Sequence, residues 1–188
     1  MVGGIHGAAL AAALLAGLAS ITAHAARDLV EMAVPALPAT VREALQRDAA
    51  GWTIPTAIDR EGWAFCGPPR RGASDRHPYL VTADFDGDGR LDHAVYLVRA
   101  AGGQTLHRTD VVLASGRVVS IEAPLRVSSA EPMYFLDVTP KGTTIVPGGG
   151  RRVTLLTDAL GLVRCEAARQ SHVWEPRTKR FRVHQTAD

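Results

Sequence analysis

From residue 79 onward the chain divides into short apolar and β-branched runs, each closed within a few residues by glycine, proline, serine or charged side chains. That pattern constrains the fold more than any other feature. The runs are too short for ordinary helices, and the connections are too brief for the crossover of a dozen or more residues that parallel strands require. Strands are expected at 79–83, 93–99, 106–114, 118–121, 134–138, 153–157, 162–166, 171–174 and 181–185. Turns are expected at Gly102-Gly103, Ser115-Gly116, Lys141-Gly142, Gly148-Gly149-Gly150, Gly161 and Pro176-Arg177-Thr178-Lys179. The expectation is an antiparallel meander, with Trp174 and Phe181 as a cross-strand pair over the last turn rather than a ligand platform.

Ahead of this region, 37–47 reads as an amphipathic helix. Pro38 suits its first turn, Thr40 and Glu43 have capping-box spacing, Val41, Ala44, Leu45 and Ala49 share a face, and Gly51 ends it. Trp52, Ile54 and Ile58 suggest an extended segment that anchors the helix to a core, and 67–78, rich in Pro and Gly, reads as a loop. The expected class is therefore α+β, with the N-terminal amphipathic helix packed on the antiparallel β meander.

The first 25 residues carry an Ala/Leu-rich apolar run ending in Thr22-Ala23-His24-Ala25, the small-x-small pattern of a secretory signal peptide. No Lys or Arg precedes the run, which is too short and too rich in Ala and Gly to make a good spanning helix. Cleavage would leave residues 26–188, about 160 residues and one domain, in the periplasm or outside the cell, with no membrane span. Only Cys66 and Cys165 are present, and in an oxidising compartment an even count predicts a disulfide; two thiols that never meet is the alternative. The chain lacks Cys-x-x-Cys and zinc-ligand spacing, so a catalytic thiol or zinc is not expected.

The formal charge is +2, too small to imply nucleic acid or an acidic membrane as partner. Basic residues do crowd the C-terminal end, at Arg151, Arg152, Arg164, Arg169, Arg177, Lys179, Arg180 and Arg182. Without aromatic interleaving or a nucleic-acid motif they read as solvated strand faces and a turn.

The segment that carries chemistry is Asp84-Phe85-Asp86-Gly87-Asp88-Gly89-Arg90-Leu91-Asp92. Four carboxylates in so short a loop repel one another unless a cation lies between them, and oxygen-only ligands favour a hard divalent ion. Counting from Asp84, alternate Asp side chains at positions one, three and five turn inward, Gly89 permits the bend, Arg90 needs only its backbone carbonyl, and Asp92 stands at position nine. The bidentate Glu of an EF-hand is missing at position twelve, where Val95 stands, and the flanking runs are β-like. A polar turn using Asp and Gly for their backbone freedom alone is the plainer alternative.

The motif Asp-x-Asp-x-Asp-Gly-x-x-Asp between strands resembles the calcium loop of FG-GAP and VCBS-type repeats. The resemblance covers about 79–98 and implies Ca²⁺ held by Asp84, Asp86, Asp88, the carbonyl of Arg90, and Asp92. More loosely, the helix, the loop and the final hairpin are similar to small uncharacterised bacterial exported proteins. A single copy argues against a many-bladed propeller, whose fold and ligand binding are not carried over. Asp84-Phe85-Asp86-Gly87 also resembles the haloacid dehalogenase phosphatase motif, in which the first Asp accepts the phosphoryl group and the second is a general acid; the Thr and crossovers of that family do not follow here.

His77, His93 and His107 have no ligand spacing and read as ordinary polar residues. The chain has no Gly-x-Ser-x-Gly elbow or Ser-x-x-Lys motif, and the Gly148-Gly149-Gly150 run lacks the Lys and helix of a phosphate loop. The expected function is a non-catalytic exported domain with structural Ca²⁺ that meets an unknown protein or cell-envelope component. A metal-dependent phosphatase or other hydrolase using the carboxylates of 84–92 is the alternative.

Overall fold

The computed structural model describes residues 29–59, 77–127, 134–164 and 168–186. The expected signal peptide at 1–25 and both Cys66 and Cys165 lie outside those residues. In chain order the elements are β1 (Leu29–Glu31), α1 (Ala39–Asp48), β2 (Ala57–Asp59), β3 (Leu80–Ala83), β4 (Asp92–Ala101), β5 (Gln104–Val112) and β6 (Val118–Ser120). They continue with β7 (Leu125–Val127), β8 (Phe135–Thr139), β9 (Thr144–Ile145), β10 (Val153–Thr154), β11 (Ala159–Arg164), β12 (Ala168–Glu175) and β13 (Arg180–Thr186). Among the described residues no helix is long and apolar enough to cross a membrane.

Two main sheets form. One has the order β3-β4-β5-β6, with β7 also on β5; the other runs β13-β12-β11-β8. Every strand pairing in them is antiparallel. Side chains alternate across a strand, so Ala94 and Tyr96 of β4 face one way and Val95 and Leu97 the other. The first pair joins Leu136, Leu160, Leu162 and Trp174 of the second sheet in one buried cluster. The core therefore lies between the sheets.

The α+β expectation is overturned by this arrangement. Among the described residues strand makes up 49% and the single short helix 8%, so the class is mainly antiparallel β. Ten residues of helix extend only about 15 Å, and α1 adds a local patch in which Val41 and Ala44 meet Val112. The second sheet, not the helix, closes the main interior. Periodicity shows that a strand has an apolar face but not which other face will cover it.

Local corrections have similar causes. Pro38 occupies the helix N-cap with no side-chain cap bond, and Thr40 already lies inside the helix, so the capping box does not form. Trp52 anchors the chain after the helix by stacking with the guanidinium groups of Arg99 and Arg108, 4.8 and 4.6 Å from its ring. Arg108 also pairs with the buried Asp110 at 2.6 Å, and the Ser120 hydroxyl donates to the other oxygen of that carboxylate.

Gly161 is not a turn but the middle of β11. Arg169 reaches across it to Asp137 at 2.7 Å and donates to Thr139 Oγ1 at 2.7 Å. A Cβ at 161 would come within 3.2 Å of that guanidinium, so glycine leaves a corridor for an ion pair spanning three strands. The expected Trp174–Phe181 pair is present, in register and edge to face at 5.1 Å.

His172 lies opposite Leu160 and is buried. Burial, aided by the nearby His184, pushes its pKa down from 6.5 to about 4. As pH falls through that interval the unfolded chain gains a proton here before the folded chain does, so the folded state loses stability. Between pH 7 and 4.5 the loss traceable to this residue should be about 2 kcal/mol. Urea midpoints of wild type and His172→Leu at the two pH values measure it as the difference in their pH dependence.

Candidate metal centre

The loop inherits its geometry from the strands it joins. Ala83 pairs with Asp92 at the end of the β3–β4 ladder, so the chain between them must close over a narrow gap. Phe85 is fully buried in the inter-sheet core, its ring edge-on to Phe181 at 6.5 Å. With this side chain pegged inward, Asp84, Asp86 and Asp88 are left to converge near the surface. Each offers a carboxylate oxygen, and these oxygens all lie within 4.8 Å of one another. Among the described residues this is the one group of three such side chains close enough to hold a metal ion.

Backbone amides shape the cluster. Asp84 accepts from Gly87 at 2.8 Å on Oδ1 and from Gly89 at 3.0 Å on Oδ2. Asp86 Oδ1 accepts from the Asp88 amide at 3.1 Å, and Asp88 Oδ1 from the Arg90 amide at 2.8 Å. The Arg90 side chain turns away and donates to the Ala114 carbonyl at 3.0 Å, which leaves its guanidinium outside the acidic cluster. Three oxygen donors converging in a loop suit a hard divalent cation rather than a thiophilic one.

Asp92 stands apart from the three. It is fully buried; its Oδ2 accepts from the amides of Phe85 at 2.9 Å and Asp86 at 3.2 Å, and its Oδ1 from Ala114 at 2.8 Å. Burial pushes this carboxyl up to about 6; the Ala114 amide opposes the rise, the Asp86 charge adds to it, and the amides of Asp86 and Phe85 oppose it. The structure therefore gives Asp92 the work of bracing the loop against the turn that follows β5.

A second brace is absent from any motif. Asp158, just before β11, accepts from the Asp84 amide at 3.2 Å and the Lys141 amide at 2.8 Å, and its own amide donates to the Asp84 carbonyl at 3.2 Å. This ties the loop to the second sheet from far along the chain, and no spacing in the sequence marks it. Gly87 is the companion constraint. Its φ is +81° and an added Cβ would lie 2.7 Å from Thr157 Cγ2, whereas Gly89, at φ +83°, has nothing within 4 Å.

The histidines have structural partners, as ordinary polar residues would. His93 Nδ1 meets the Thr82 hydroxyl at 3.1 Å, His107 Nδ1 the Tyr96 hydroxyl at 2.6 Å, and His77 Nδ1 accepts from the Tyr79 amide at 3.3 Å.

Two pairs of variants separate bracing from ligation. In chelator, Asp92→Ala should destabilise by about 3 kcal/mol or more by orphaning buried amides, while exposed Asp88→Ala should cost under about 1 kcal/mol. Gly89→Ala should cost about 1 kcal/mol for its left-handed backbone, and Gly87→Ala distinctly more because of Thr157. Denaturant midpoints of the four proteins test both orderings.

No protein-family model matches this chain, and no curated protein or solved structure matches it either, so the likeness to calcium-loop repeats rests on the loop residues alone.

Proposed function

We propose that the protein is an exported, non-catalytic β domain in which one Ca²⁺ fixes the 84–92 loop, leaving the sheets and their loops free to meet a protein or other component of the cell envelope. One observation carries the reading: the carboxylates of Asp84, Asp86 and Asp88 converge within 4.8 Å. Like charges this close favour a bound cation, and all-oxygen donors favour calcium over a transition metal. The spacing shared with FG-GAP and VCBS-type loops supports the same ion, with the Arg90 carbonyl completing the set. Export is supported by the apolar run and small-residue pattern of residues 1–25.

The hydrolase alternative is weaker. The Thr that follows the phosphatase motif is replaced by Asp88, and the flanking strands β3 and β4 pair antiparallel instead of leading into crossovers. Asp92, the remaining carboxylate of the loop, is buried against three amides and is not placed to serve as a further acid or base.

Calorimetric titration with Ca²⁺ should show a single site, and free Ca²⁺ at a hundred times Kd should stabilise the fold by about 2.7 kcal/mol, raising Tm. Asp88→Ala should abolish both effects while remaining folded. Absence of heat together with an unchanged Tm would refute the calcium reading. Turnover on a hydrolase substrate panel that disappears in folded Asp84→Ala would refute the non-catalytic one.

A further inference from the structure

The outermost strand of the second sheet, β13, has an edge whose open positions can be read from its backbone. The Gly148 amide donates to the Gln185 carbonyl beside an isolated antiparallel bridge between Pro147 and Thr186. A strand residue points its N–H and C=O to the same side, and successive residues alternate. Phe181 and Val183 therefore point their backbone groups outward like Gln185, while Arg180, Arg182 and His184 point theirs toward β12. The 147–148 segment covers the Gln185 end; among the described residues no strand pairs with the edge at Phe181 and Val183.

Side chains along this edge alternate in chemistry. Arg180 and Arg182 lie opposite Glu175 and Val173 on one face, and Phe181 and Val183 lie opposite Trp174 and His172 on the other. Both arginines are exposed, and Val183 is 51% exposed. The Glu175 carboxylate is engaged by the Thr178 hydroxyl at 2.8 Å, and among the described residues no carboxylate pairs with Arg180 or Arg182.

We propose that the β13 edge takes an extended segment of a partner protein as an added strand, and that this segment alternates acidic with apolar residues. Backbone bonds to Phe181 and Val183 supply the pairing; acidic side chains meet Arg180 and Arg182, and apolar ones cover Val183 beside Phe181. Charge selects against a second copy of this chain. Antiparallel pairing of two β13 edges centred on Phe181, or pairing Phe181 with Val183, sets Arg182 against Arg180 or Arg182 of the copy, and like charges directly opposite are unfavourable; only the register centred on Val183 sets it against His184, which burial and Arg182 itself hold neutral near pH 7. The proposal is independent of any ion at the 84–92 loop.

Amide hydrogen exchange by NMR with a blocked peptide of alternating Glu and Val tests it, in calcium and in chelator. With peptide at about ten times its Kd, exchange at Phe181 and Val183 should slow about tenfold, and added salt should weaken binding. Arg180→Glu/Arg182→Glu should lose this peptide and bind one of alternating Lys and Val. Val183→Pro, which removes an outward amide but no bond to β12, should lose the Glu/Val peptide while keeping both arginines. No protection at these amides in wild type would overturn the proposal. Equal protection by polyglutamate, or protection that appears with protein concentration alone, would overturn it as well.

Discussion

Burial of an aromatic interior between two antiparallel sheets is the constraint on which the remaining features depend. The Tyr79 ring lies 5.8 Å from Tyr96 and 6.1 Å from Phe135, so side chains from both sheets stack into one layer. Such rings contribute large buried areas and prefer a few mutual geometries, which holds the sheets at a set separation. At one side the Leu136 amide donates to the Pro78 carbonyl at 2.8 Å, and at the hairpin end Arg117 reaches over Trp174 and donates to the Lys179 carbonyl at 3.1 Å. Phe85 belongs to the same interior, so the acidic loop is anchored by the core beneath it.

Within that loop the carboxylates divide into two groups by solvent exposure. Asp84, Asp86 and Asp88 remain near water and converge; Asp92 goes inward and gathers three amides. A buried carboxylate pays for desolvation, and its raised pKa shows that the amides offset that cost only in part. Asp158 adds a tie from the opposite sheet. The cluster therefore sits on a frame built by backbone bonds, and an ion there would act on a loop attached to both sheets.

Part of this was legible from residue types alone. Most strand positions from 79 onward, the final hairpin with its Trp174–Phe181 pair, and the loop joining two strands follow from alternation and turn chemistry over a few residues; the short β7 and β9 were not expected, 153–157 is strand only at 153–154, and β11 begins at 159 rather than 162. The three converging aspartates are legible for the same reason, because residues two apart in a tight loop stay neighbours whatever the rest of the chain does. Asp158, the role of Gly87 against Thr157, and the passage of Arg169 over Gly161 were not legible, since each depends on residues brought together by sheet docking.

The amino-acid order thus determined much of the local structure: where most strands and turns fall, and where negative charge accumulates. Their periods and spacings act over a few bonds and do not wait for the fold. Only the tertiary structure decided that a second sheet rather than a helix closes the core, that Asp92 braces while its three neighbours converge, and that β13 stands outermost among the described strands of its sheet. Those outcomes are set by which apolar faces meet, a choice made by packing across the whole molecule and recorded at no single position in the chain.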